Sequence, residues 1–269
     1  MLFKYITELT YKTFRNITLH FRQMTINEII IILERIGCSL NVFKFWGGYA
    51  ITQKDVYNFL KALHKHCTHL HTLEMYYLMM DETCYQYINI NNLKKLSLEN
   101  CDVNDYKLSQ ALENKKNTNL TELSLQGNVL FRGDSLLKLT NLKFLNLKMC
   151  PITNNTLIDI LKSNSHITSL NLTYCGDLNF ETLLKQIPKL LPNLIQLYLD
   201  NCIIRNYHPI AECKNLKVLS INYYLGTPVT FLDDFLYLLL KNSIKLNVLN
   251  VHNHNLSPLG ENYLKQILK

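Results

Sequence analysis

The chain has 269 residues, 48% of them apolar and 18% charged, enough to bury a sizeable core and to exclude a disordered chain. The net charge of +7 arises from 28 basic residues scattered among 21 acidic ones, without the clustering of a dedicated nucleic-acid surface, so no nucleic-acid partner is expected. The longest apolar runs, Ile29–Leu33 and Phe235–Leu240, fall far short of the ~18 residues that cross a bilayer, and Lys4 and Glu8 interrupt what a secretory leader would keep apolar, so no membrane contact and an intracellular setting are expected.

In chain order, a short three-apolar motif alternates with helix signals. The first motif starts at Phe14. Thr25-Ile-Asn-Glu28 then has the form of a capping box and predicts a helix over Ile26–Ile36. A second motif starts at Leu40, and Thr52 ahead of Val56, Leu60 and Leu63 predicts another helix. Motifs at Leu70 and Leu93 follow, then a helix over Asp105–Glu113. The motif at Leu120 has a return too short for more than a turn of 3₁₀ helix, whereas those at Leu142 and Ile167 lead into helices over Asn155–Lys162 and Phe180–Leu191. The return after Leu194 is again short. Motifs at Leu216 and Leu246 precede helices over Phe231–Leu240 and Pro258–Leu268, with residues 257–269 expected as a C-terminal cap.

The motif is a repeat. Leu93-Lys-Lys-Leu96-Ser-Leu98-Glu-Asn-Cys101 and Leu142-Lys-Phe-Leu145-Asn-Leu147-Lys-Met-Cys150 share one pattern with Ile167-Thr-Ser-Leu170-Asn-Leu172-Thr-Tyr-Cys175 and Leu194-Ile-Gln-Leu197-Tyr-Leu199-Asp-Asn-Cys202. The ten starts are 22 to 30 residues apart. On a strand the fourth and sixth positions face one side, and a single such strand cannot bury that side alone. Stacking neighbours in parallel builds a continuous core. The pattern therefore predicts an α/β leucine-rich-repeat solenoid, a horseshoe with a parallel sheet on its concave face and helices on its convex face, as one domain of about ten repeats over 1–269.

After Cys150 the chain runs on as Pro-Ile-Thr-Asn-Asn-Thr-Leu-Ile-Asp-Ile-Leu. With the cysteine at the ninth position, this closely resembles the cysteine-containing repeat of F-box and leucine-rich-repeat proteins. The resemblance implies a non-catalytic scaffold whose concave face holds a protein substrate, as the recognition part of an SCF-type, cullin-based ubiquitin ligase acting in protein ubiquitination and degradation. In that family an N-terminal F-box docks the ligase. No F-box, with its Leu-Pro and three-helix segment, is found in this chain, so contact with the ligase scaffold is expected only through a segment absent here. The alternative reading is a stand-alone interaction or inhibitor protein resembling ribonuclease-inhibitor-like horseshoes.

Residues between the strand leucines give the expected concave face. Among them Trp46, Tyr76, Phe144 and Tyr198 are aromatics in a polar field, either partner anchors or side chains that simply suit a pleated surface. Lys44, Glu74, Glu99, Lys148 and Asp200 give that face mixed charge, which favours a protein partner over a polyanion. The eight cysteines contain no Cys-x-x-Cys pair, so neither a zinc knuckle nor a disulfide framework is expected, and Cys101, Cys150, Cys175 and Cys202 read as small buried structural groups. The cluster His64-Lys-His66-Cys67-Thr-His69-Leu-His71 has metal-binding residue types, but helical His64 and His66 point apart, and it reads as a helix end followed by a polar loop. No metal, cofactor or catalytic constellation is expected. Gly47-Gly48 lacks the spacing of a dinucleotide loop and reads as a relaxed turn.

Overall fold

The computed structural model describes residues 14–48, 50–90, 92–112, 119–223 and 232–268. Lys4, Glu8, Glu113 and Phe231, named above, lie outside the described residues. The chain divides into two compact units between Phe131 and Arg132.

In the first unit the strands are β1 Asn16–His20, β2 Val42–Trp46, β3 Thr72–Tyr76, β4 Lys95–Glu99 and β5 Glu122–Ser124. Each pairs in parallel with the next, position for position, so that Leu19, Phe45, Met75 and Leu98 form one row and His20, Trp46, Tyr76 and Glu99 another. The apolar row is buried throughout. Helix α1, Ile26–Ile36, starts at the expected capping box: the Thr25 amide donates to Glu28 at 2.8 Å, and the Glu28 amide donates to Thr25 Oγ1 at 3.3 Å. Thr52 caps α2, Gln53–His66, by accepting from the Asp55 amide at 3.2 Å. From α2, Phe59 packs its ring against Phe43 and Phe45 on β2, with centroids at 6.0 and 4.8 Å, closing the core between helix and sheet. The third return is a 3₁₀ helix, Glu82–Tyr87, and the fourth is α3, Asp105–Leu112.

The second unit repeats the plan with β6 Phe144–Asn146, β7 Ser169–Asn171, β8 Gln196–Tyr198, β9 Val218–Ser220 and β10 Val248–Asn250, parallel and in chain order. Leu145, Leu170, Leu197 and Leu219 stack beneath it without exposure. The returns include α4 Asn154–Ser163, α5 Phe180–Leu184, α6 Ile187–Leu190, α7 Asp233–Lys241 and α8 Pro258–Ile267. Short 3₁₀ turns at Asp134–Lys138 and His208–Glu212 fall where short returns are expected. The single helix expected over Phe180–Leu191 is instead two, because Pro188 has no N–H for the Leu184 carbonyl and sits in the first turn of a new helix. Both units are built as stacked strand-and-return repeats. The fold is an α/β leucine-rich-repeat solenoid.

The ninth position of the repeat does a common job with different side chains. Cys101 Sγ donates to the Met75 carbonyl at 3.4 Å, Cys175 Sγ to Leu147 at 3.1 Å and Cys202 Sγ to Leu172 at 3.2 Å. Each acceptor belongs to the sixth position of the preceding repeat. Asn128 does the same, through Nδ2, for the Leu98 carbonyl at 2.7 Å, and His254 through Nε2 for Ile221 at 2.5 Å. A carbonyl only accepts, so His254 carries its proton on Nε2 here. Burial pushes the thiols of Cys101, Cys175 and Cys202 up to about 12, which keeps them protonated as this role requires. Cys150 is buried as well, its thiol 3.9 Å from the Lys148 carbonyl of its own repeat.

One position earlier, the backbone turns through the left-handed region. Tyr77, Asn100, Gly127, Met149, Tyr174, Asn201 and Asn253 all have φ between 53° and 75°. Their repeats tie this turn down with a further ladder bond, as from the Tyr77 amide to the Glu99 carbonyl at 3.0 Å and from the Tyr174 amide to Asp200 at 2.9 Å. Asn and Gly suit that conformation; Tyr and Met do not.

Candidate protein-docking face

The side chains that strands β2, β3 and β4 turn away from the core form one continuous group. At its centre Glu74 is 3% exposed. It accepts from Lys44 Nζ at 2.9 Å on one side, Lys95 Nζ at 2.8 Å on the other, and the Tyr76 hydroxyl at 2.7 Å. Burial alone would raise its pKa, but these three donors win and hold the carboxyl below its usual range. The same environment, burial first and the Glu74 hydrogen bond second, pushes the Tyr76 phenol upward. Beside it, Glu99 Oε1 accepts from Ser97 at 3.0 Å and from Ser124 on β5 at 2.7 Å.

Above this polar floor stands a row of rings set by strand register. Trp46 stacks on Tyr76 at 4.0 Å with planes 11° apart, and His20 stacks on the other side of Trp46 at 5.8 Å and 11°. Trp46 stays 37% exposed, because its faces are covered and its edge is not. Five expected surface residues, Lys44, Trp46, Glu74, Tyr76 and Glu99, therefore lie together. Glu74 differs from the expectation of an exposed charge: two lysines of neighbouring strands converge on it, and it serves as the buried counter-ion that sets their positions.

The second unit carries a different polar group. Asp200 Oδ1 accepts from Ser220 Oγ at 2.7 Å and from the Asn222 amide at 2.7 Å, and Asn222 Oδ1 accepts from the His252 amide at 2.9 Å. Tyr198, half-buried, precedes Asp200 on the same repeat. On β6 and β7, Asn146 and Asn171 each accept from the amide two residues on, Lys148 at 3.1 Å and Thr173 at 3.0 Å. Phe144 and Lys148 flank Asn146 and are half-buried.

One member of these groups, His20, escaped the sequence reading. His20 occupies in the opening repeat the position that Trp46 holds in the next, so carrying the same count back from Phe14 finds it. Ser97, Ser124, Ser220 and Asn222 fall on the expected face by position, but their hydrogen bonds to Glu99 and Asp200 carry no signal in the sequence. In the histidine-rich stretch, His64 Nδ1 lies 3.2 Å from the Tyr87 carbonyl and its ring stands edge-on to Tyr87. Cys67 is buried and its thiol is pushed up to about 12 by that burial, the opposite of a metal-binding thiolate. Among the described residues, no three metal-ligating side chains come together. Nor is any described helix long and apolar enough to cross a membrane.

No protein-family model matches the chain, and no curated protein matches it. Solved structures do. Internalin C2 from Listeria monocytogenes aligns with 77% of this chain and 84% of its own at 19% identity and a TM-score of 0.48. Another internalin, inlF from the same organism, aligns with 95% of this chain and 78% of its own at 14% identity and a TM-score of 0.52. At that identity the second likeness concerns the fold, and it agrees with the leucine-rich-repeat architecture built from the strands above.

Proposed function

We propose that this protein is a non-catalytic protein-binding scaffold that holds its partner across the outward face of its strands. The observation that carries this reading is the His20–Trp46–Tyr76 stack over the Lys44–Glu74–Lys95 cluster. A rigid aromatic row with its edge exposed, flanked by charges already neutralised from within, has the make-up of an interface hot spot with little ordering or desolvation cost. Phe144, Lys148, Tyr198 and Asp200 extend the same role to the second unit.

The finer reading is that the partner is a substrate presented for ubiquitination by a cullin-based ligase. It is supported by the cysteine-containing repeat, whose ninth-position thiols bond back to the preceding repeat. Eight free cysteines, all among the described residues, suit an intracellular setting. Affinity capture with the full chain, against Trp46→Ala and Tyr76→Ala, tests the scaffold: both variants are expected to lose the partner while keeping the fold. Unchanged capture by both refutes it. Co-capture of cullin-ligase subunits by the wild type tests the finer reading, and partners captured without any ligase subunit or ubiquitination would refute that part alone.

A further inference from the structure

Beside the ring row, at the strand-exit side of the first unit, His20, Phe21, Arg22, Trp46, Gly47, Gly48, Ala50 and Tyr77 line a cleft of about 730 Å³. That lies within the roughly 300–1,000 Å³ of small-ligand and anchor pockets. Three features say what it takes.

First, the rings present a particular electrostatic surface. Both faces of Trp46 are taken by His20 and Tyr76, so the indole offers the cleft its electropositive edge. An edge attracts the face of another ring or an anion; a cation would need the face. Second, the only fixed charge among the described lining residues is Arg22, which is exposed and has no ion-pair partner among the described residues. Glu28, which borders Arg22 from the far side, is committed to the Thr25 amide and hydroxyl at 2.8 and 2.9 Å. Third, the backbone is shaped to keep the cleft open. A Cβ on Gly47 would lie 2.8 Å from the Tyr77 carbonyl, so only glycine lets these two segments close up. A Cβ on Gly48 would meet nothing nearer than Phe21 at 3.8 Å, leaving room at the wall. Tyr77 itself is held at φ 54°, in the same left-handed turn as its counterparts in the other repeats, and remains 38% exposed to form the far wall.

We propose that this cleft receives an aromatic side chain with a carboxylate next to it, presented by the partner polypeptide. The ring stands with its face to the Trp46 edge, between Phe21 and Tyr77, and the Arg22 guanidinium pairs with the carboxylate. The proposal rests on the reading of the strand face as a docking surface and adds what the partner must carry.

Trp46 is the only tryptophan in the chain, so its fluorescence reports on this cleft. The full chain is titrated with Gly-Ser-Gly-Ser-Phe bearing a free C-terminus, the same peptide amidated, and an amidated peptide with internal Phe-Glu. Saturable quenching is expected, with a carboxylate peptide binding about tenfold tighter than the amidated control. Whichever carboxylate peptide is tighter identifies the source, chain end or acidic neighbour. Arg22→Gln, a change at an exposed position, is expected to remove that preference and keep the weaker aromatic binding, and Gly48→Leu to abolish both. No saturable response in the wild type, or a carboxylate preference that survives Arg22→Gln, overturns the proposal. The two readings separate: capture lost in Tyr76→Ala but no response to any peptide sinks the cleft alone, whereas peptide binding with capture unaffected by Tyr76→Ala sinks the docking face alone.

Discussion

Asn128 is the ninth-position residue whose removal tests the repeat lock most severely. It has no exposure and makes four side-chain hydrogen bonds. Its Oδ1 accepts from the Cys101 amide at 3.1 Å and the Val103 amide at 2.9 Å, and its Nδ2 donates to the Leu98 carbonyl at 2.7 Å and the Leu125 carbonyl at 2.6 Å. Asn128→Ala removes all four of these bonds at once, although the Leu125 carbonyl keeps the Asn128 amide at 3.3 Å. With net hydrogen bonds of about 1 kcal/mol each, and a larger penalty for buried groups left without partners, the cost works out at about 4 kcal/mol. That is a large share of the ~5–15 kcal/mol by which a folded domain exceeds its unfolded chain. Asn128→Cys keeps a donor for Leu98, as Cys101 does for Met75, but leaves the two amides unmet, so about half that loss is expected. Urea unfolding followed by Trp46 fluorescence, which lies in the same unit, measures both. A cost below about 1 kcal/mol for Asn128→Ala, or equal costs for the two variants, would refute the idea that these bonds tie one repeat to the next.

Three further outcomes follow from the same physics. Because the folded Glu74 carboxyl titrates below its unfolded value, it contributes stability that is complete above the unfolded pKa of about 4.3 and lost as pH falls through the folded one. Glu74→Gln should therefore be less stable at pH 7 yet lose less between pH 5 and pH 3, and parallel urea-midpoint profiles for the two proteins would contradict this. Of the eight cysteines only Cys38 is exposed, so a thiol reagent at pH 8 should label one site in the native protein and all eight in denaturant; rapid native labelling of Cys175 or Cys202 would contradict their burial. Tyr174→Asn relieves a left-handed tyrosine that is 40% exposed and should raise stability by about 0.5–1 kcal/mol in thermal unfolding, whereas a loss would show that the ring packs more than its exposure implies.

The strands were legible because their signal is local and repeated: the alternation that places Leu96 and Leu98 in the core places Lys95, Ser97 and Glu99 on the other side. Caps were equally plain, as at Thr25 and Thr52, where the residues that make the bond are three apart in sequence. Interruptions depend on single residues, and Pro188 was outweighed by an otherwise helical stretch. The site was legible only as a row of positions. That Glu74 is buried follows from two lysines 30 and 21 residues away reaching the same carboxylate, and nothing in its own neighbourhood says so. The cleft at Gly47 and Gly48 was hidden for a related reason: its walls come from two adjacent repeats and from the segment that follows the first strand, and their spacing depends on a close backbone approach between Gly47 and Tyr77.

The shared duty of cysteine, asparagine and histidine in one column bears on how such proteins drift. What the preceding turn demands there is a hydrogen pointing backwards at a fixed reach, and sulfur is only one carrier of it. Any of the three residue types can therefore supply that hydrogen, at a cost only where, as at Asn128, the side chain also serves neighbouring amides, and a profile trained to look for cysteine alone will end its count too early, stepping past coils such as the one sealed by His254.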